Sequence, residues 1–118
     1  MFTYKNILIT GASSGIGQAL AEYYAKNGAE VLFICGRNEE RLNKVKATCE
    51  TYGAKVYAEV LDVCDREVMK KWIESAVQTA PIDLVIANAG TGNVNETEDA
   101  IYNTFNTNVW GVINTVLP

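Results

Sequence analysis

The chain has 118 residues, 14 acidic against 10 basic side chains, a net charge of −4, and 48% apolar residues. That length is one domain or a portion of one, and the apolar share supplies a core that a disordered chain would lack. The acidic balance and the scatter of Lys and Arg argue against nucleic acid and anionic membrane surfaces, which reward clustered positive charge.

In chain order, Met1 to Lys5 has no signal-peptide pattern and runs directly into Lys5 to Thr10 (KNILIT), a short apolar run that reads as a buried strand. A helix is expected from about Ser14 to Asn27, with Ile16, Leu20 and either Tyr23 or Tyr24 along one side and Gly28 as its stop. Glu30 to Cys35 (EVLFIC) reads as a second strand. Asn38 is placed to cap the next helix, whose Leu42, Val45, Cys49 and Tyr52 share a face and which Gly53 ends. Lys55 to Leu61 (KVYAEVL) is a third strand. Asp65 then caps a helix with Met69, Trp72, Ile73 and Ala76 on one side, and Asp83 to Ala87 (DLVIA) is a fourth strand. Ile101, Phe105, Val109, Val112 and Val116 stand at helical spacing in a last helix.

The expected pattern is βαβαβαβα, with strands that look buried on both faces. Such strands imply a parallel sheet covered by helices, the doubly wound α/β class. No apolar stretch approaches the length of a bilayer span, so a cytoplasmic protein is expected. Cys35, Cys49 and Cys64 are widely spaced and form no Cys-x-x-Cys pair, which reads as buried apolar residues rather than a disulfide or metal framework. Histidine is absent, which removes Ser-His and Cys-His nucleophile pairs and the commonest zinc ligand. No metal site is expected.

Thr10-Gly11-Ala12-Ser13-Ser14-Gly15-Ile16-Gly17 joins the first strand to the first helix. A glycine-rich turn at that place lets backbone approach a pyrophosphate and aims free N–H groups and the helix dipole at its charge. Gly11 would make the tight turn, Gly15 would leave the helix start bare, and Gly17 would let the helix pack on the strand, with Ser13 and Ser14 adding hydroxyls. The spacing is G-x-x-x-G-x-G, and its position at the head of a βαβ unit sets it apart from a plain glycine-rich connector.

With these residues the chain resembles the short-chain dehydrogenase/reductase family. TGASSGIG is similar to that family's cofactor motif, with Ile16 between its last two glycines. Asp62-Val63 follows the third strand where the family contacts adenine. Asn88-Ala89-Gly90 follows the fourth strand, and Asn108 in Asn-Val-Trp-Gly stands where the family has a catalytic-site Asn. The resemblance implies a Rossmann-type, doubly wound parallel sheet carrying a dinucleotide site over residues 1–118. It also implies hydride transfer between a nicotinamide ring and a carbonyl or alcohol substrate.

An acidic residue near the end of the second strand takes the ribose 2′-hydroxyl in NAD-binding folds, about 20 residues beyond the glycine motif. Here that strand ends Cys35-Gly36-Arg37-Asn38, with no carboxylate and with Arg37 20 positions after Gly17. A guanidinium can bind a 2′-phosphate bidentately, and Gly36 would leave it room. NADP(H) is therefore expected over NAD(H), with Arg37 and Asn38 in its site. The competing reading is a solvated Arg37 paired with Glu39 or Glu40. Asp62 is either an adenine acceptor, with Val63 beside the ring, or a turn residue. Asn108 either holds a water in the family's proton relay or bonds neighbouring backbone, and its helix serves a dimer interface or a core face.

The family's chemistry needs a Tyr with a Lys four residues later. Tyr4, Tyr23, Tyr24, Tyr52, Tyr57 and Tyr102 are followed at that distance by Leu8, Asn27, Gly28, Val56, Leu61 and Asn106. The pair is absent. The expectation is a chain shortened after its fourth βα unit, lacking the catalytic Ser, Tyr and Lys, with an apolar fourth-strand edge that promotes self-association. The alternatives are a non-catalytic NADP-binding or regulatory module and a fragment completed by another chain.

Overall fold

A computed structural model describes residues 5–13 and 15–88. The elements alternate as β1 (Asn6–Thr10), α1 (Gly15–Lys26), β2 (Val31–Gly36), α2 (Glu39–Thr51), β3 (Lys55–Val60), α3 (Arg66–Thr79) and β4 (Leu84–Ala87). The four strands form a parallel sheet in the order β3-β2-β1-β4. The expected last helix lies outside the described residues.

Alternate side chains of the central strands go to opposite faces, as the pleat requires. Ile7, Ile9, Leu32 and Ile34 join Ala21 and Ala25 of α1 and Leu42, Val45 and Cys49 of α2 in one buried cluster. Leu8, Phe33 and Cys35 join Met69, Trp72, Ile73 and Ala76 of α3 in the other. Helices therefore cover both faces of the sheet, which is the doubly wound arrangement. Phe33 stacks on Tyr57 at 5.2 Å between ring centroids on the α3 side.

Three expectations are corrected. Burial on both faces holds for β1 and β2, but β3 and β4 flank the sheet as described and are only partly buried. The apolar residues of those two strands outnumber the positions that neighbouring elements cover. The buried face of α1 is Gly17, Ala21 and Ala25, with Leu20 and Tyr24 beside it. Ile16 is 70% exposed and Tyr23 is exposed too, because small residues let the helix lie close over the sheet and turn the larger ones outward. Tyr52 stands at the carboxyl cap of α2 and is exposed, whereas Leu42, Val45 and Cys49 are buried as expected.

The caps follow the sequence signals. Asn38 accepts from the Arg41 N–H at 2.9 Å, and Asp65 accepts from the Val68 N–H at 3.2 Å, so each helix start has a donor satisfied by a side chain. Asp83 fastens β4 to β1: its Oδ2 accepts from the N–H groups of Lys5 and Asn6 at 3.0 and 2.9 Å, and its own N–H donates to the Asn6 carbonyl. The register that results pairs Thr10 with Ala87, so Asn88 follows at the level of Gly11.

Candidate functional site

Parallel pairing brings the carboxyl ends of all four strands to one end of the sheet, where open α/β sheets take their ligands. A cleft of about 450 Å³ lies there. It is lined by Gly11, Ser13, Gly15 and Ile16 from the first turn, Arg37 and Asn38 after β2, Asp62 and Val63 after β3, and Asn88 after β4. Nine positions singled out in the sequence thus share one wall-to-wall space, although they come from four separate loops. Its volume is within the range of small-ligand sites.

The turn's glycines do different jobs. Gly11 and Gly15 have φ of 66° and 59°, a left-handed conformation that side chains disfavour. A Cβ on Gly15 would meet nothing within 4 Å, so its requirement is conformational. Gly17 is the reverse case. It has no place in the cleft lining, and a Cβ there would fall 2.0 Å from the Gly11 carbonyl oxygen and 2.7 Å from Asn88 Nδ2. The lack of a side chain lets α1 pack closely under the turn. Asn88 completes the same knot, donating through Nδ2 to the Gly11 carbonyl at 3.3 Å.

At the end of β2 the space expected beside Gly36 is taken by Ser13, whose Oγ would lie 2.8 Å from a Cβ on that residue. Arg37 is exposed on the cleft and forms no ion pair among the described residues; Glu40 is joined to Lys44 instead, at 3.7 Å. Sequence reasoning missed Arg41, Cys35 and Leu61 as lining residues, whereas Gly36, expected to leave room there, is in the lining. The signal for Arg41 was its spacing: four residues beyond Arg37, in the first turn of a helix capped by Asn38. Asp62 is both a lining residue and a turn former, since its Oδ1 accepts from the Cys64 N–H at 2.9 Å.

The arrangement offers bare backbone at a helix start after β1, two guanidinium groups after β2, and a carboxylate with an apolar neighbour after the adjacent β3. Those are the donor sets that phosphates and a purine ring require. Glycine at close-approach positions fits a dinucleotide lying along the turn. Ser14, Ala89, Gly90 and Asn108 lie outside the described residues. Among the described residues no cluster of His, Cys, Asp and Glu could hold a metal ion, and no helix is long and apolar enough to cross a membrane.

A family model described as short chain dehydrogenase matches residues 5–117. An 11-beta-hydroxysteroid dehydrogenase of Pinus massoniana is 38% identical over 91 residues, which are 75% of this chain and 25% of that protein. An alcohol dehydrogenase from the archaeon Thermococcus sibiricus, solved in complex with 5-hydroxy-NADP, superposes with a TM-score of 0.83 at 32% identity, covering 94% of this chain and 49% of that one. A xylitol dehydrogenase solved with NAD+ bound superposes with a TM-score of 0.88 at 27% identity, covering 94% and 45%. The chain therefore spans a quarter to about half the length of these relatives.

Proposed function

The chain belongs to the short-chain dehydrogenase family, and from that premise we propose that residues 1–118 form the dinucleotide-binding portion of an NADP(H)-dependent oxidoreductase. The observation that carries the cofactor choice is the end of β2: Arg37 and Arg41 line the cleft there, and no carboxylate stands between Gly36 and the start of α2. Relatives of this fold have been solved with either dinucleotide, so the choice rests on these side chains rather than on the sheet.

Gly11, Ser13, Ser14, Gly15 and Ile16 would hold the pyrophosphate at the start of α1. Arg37, Asn38 and Arg41 would hold the 2′-phosphate, and Asp62 with Val63 the adenine. Asn88 keeps the turn in place, while Ala89 and Gly90 would face the nicotinamide ribose and Asn108 would serve the proton relay by family resemblance. When bound, NADP(H) supplies hydride exchange with a carbonyl or alcohol. The Tyr–Lys pair that would move the accompanying proton is not in this sequence. The proposed activity of the chain alone is binding. We also assign it self-association along β4, where Val85 is 44% exposed and β1 is the one described partner strand.

Calorimetric titration with NADPH and NADH tests the cofactor reading. The chain should bind NADPH more tightly, and Arg37→Asp should lower that affinity by roughly tenfold to a hundredfold, the worth of a charge-assisted contact turned repulsive. Unchanged NADPH affinity in Arg37→Asp would sink the assignment.

A further inference from the structure

Among the described residues β3 pairs with β2 alone, so one side of the strand is open. The groups it presents there follow from its bonds to β2. The Lys55 N–H donates to the Glu30 carbonyl at 2.8 Å, and the Leu61 N–H donates to the Gly36 carbonyl at 3.1 Å. Backbone polar groups alternate sides along an extended strand. Lys55, Tyr57 and Glu59 therefore turn theirs to β2, while Val56, Ala58 and Val60 turn theirs outward. A groove of about 220 Å³ lies against the strand, lined by Val56, Tyr57, Ala58 and Glu59 together with Lys46 of α2 and Trp72 of α3. Val56 and Ala58 pack with the α2 side of the sheet and Tyr57 with the α3 side. Because its lining draws on both faces, the groove opens at the free edge.

The charges on this edge are complementary to their own reversed order. Lys55 and Glu59 stand two residues either side of Tyr57, on one face of the strand, and both are exposed. Lys55 Nζ lies 5.3 Å from the Tyr57 ring centroid, and neither charge has an ion-pair partner among the described residues.

We propose that β3 pairs antiparallel with β3 of a second copy about a two-fold axis at Tyr57, so that Lys55 of each copy faces Glu59 of the other. Val56 of one copy then stands opposite Ala58 of the other. Both carry outward N–H and carbonyl groups, so each such pair exchanges two hydrogen bonds. Lys55 and Glu59 fall in the alternate, non-hydrogen-bonded pairs, where opposed Cα atoms come to about 4.5 Å and side chains lie closest. Sliding the strands by two residues keeps the backbone match, but it sets Tyr57 opposite Lys55 or Glu59 and separates both ion pairs. By contrast β4, Leu84–Ala87, has no charge to select a register. The β3 contact uses the same patch on both copies and closes at two. It is independent of the cofactor reading and of the association assigned to β4.

Sedimentation velocity on the full chain at low salt tests this with Lys55→Glu and Glu59→Lys, each alone and the two mixed in equal amounts. Either variant alone sets like charges opposite each other at both pairs. Its dimer dissociation constant should rise by roughly tenfold to a hundredfold. The mixture restores opposite charges between unlike chains and should associate about as tightly as wild type. Lys55→Glu combined with Glu59→Lys in one chain should do the same. Association along β4 is unaltered by mixing, so recovery in the mixture reports β3 alone.

If one variant does not fold, the doubly substituted chain carries the test. A mixture no more associated than its components overturns the inference, as does a double variant as weak as the singles. Single variants that associate like wild type, or a wild-type chain monomeric at every concentration, overturn it too.

Discussion

Cys35 is fully buried at the end of β2, and burial pushes its thiol up to about 12 against the smaller opposing effect of a backbone hydrogen bond from Gly11. Cys49 is raised to about 11 by burial, with the carboxylates of Glu22 and Glu50 adding repulsion. Both thiols are therefore neutral in the fold, while in the unfolded chain they ionise near 9.0. Their contribution to stability is complete below pH 9 and is lost as pH rises through the folded values. Denaturant midpoints should fall from about pH 9 upward, by at most about 1.4 kcal/mol per pH unit for each thiol. Cys35→Ala should flatten that slope, and an identical pH profile in the variant would refute the account. The residues after each strand were legible as site candidates because a parallel sheet must deliver them to one end. Arg41 was not, because its spacing from Arg37 becomes informative only once that face of the helix is known to meet the cleft, and Ser13 in the space beside Gly36 needed the tertiary contact.

The first helix shows how an element can be read correctly and its face misread. The apolar periodicity of Ile16, Leu20 and either Tyr23 or Tyr24 identified a helix, yet its most buried positions are Gly17, Ala21 and Ala25. Bulk is a poor guide where a helix must lie close to a strand, since the closest positions have to be the smallest. Gly17→Ala tests this directly: its Cβ would sit 2.0 Å from the Gly11 carbonyl oxygen. The variant should lose about 3 kcal/mol in denaturant unfolding, the upper range for overpacking, and should lose dinucleotide affinity as the turn shifts. Wild-type stability would mean that α1 is not held against the turn. In α2 and α3 the expected faces match the buried residues, except for Tyr52, because those helices present ordinary large side chains to the sheet.

Across the whole molecule, the order β3-β2-β1-β4 decides where the cleft lies and which strands stand at the sides of the described sheet. Among the described residues β4 pairs with β1 alone and Val85 is exposed, and the proposed self-association follows from the tendency of an apolar strand edge to recruit another strand. Sedimentation velocity over a range of concentrations should show dimers or larger species increasing with concentration. A monomer at every concentration would remove that part of the proposal.

By itself the sequence determined the alternation of strands and helices, the parallel sheet and the glycine turn, because each is written in local periodicity and in residues with special backbone freedom. Asn88 reaching Gly11, Gly17 packing under the same carbonyl, and Ser13 occupying the space beside Gly36 were decided only by the tertiary structure. These contacts join positions that are 77, 6 and 23 residues apart, and they depend on strand register and helix height. The physical reason is one of range: propensity acts over a turn or a strand, whereas a cleft exists only once a register such as Thr10 against Ala87 has been chosen.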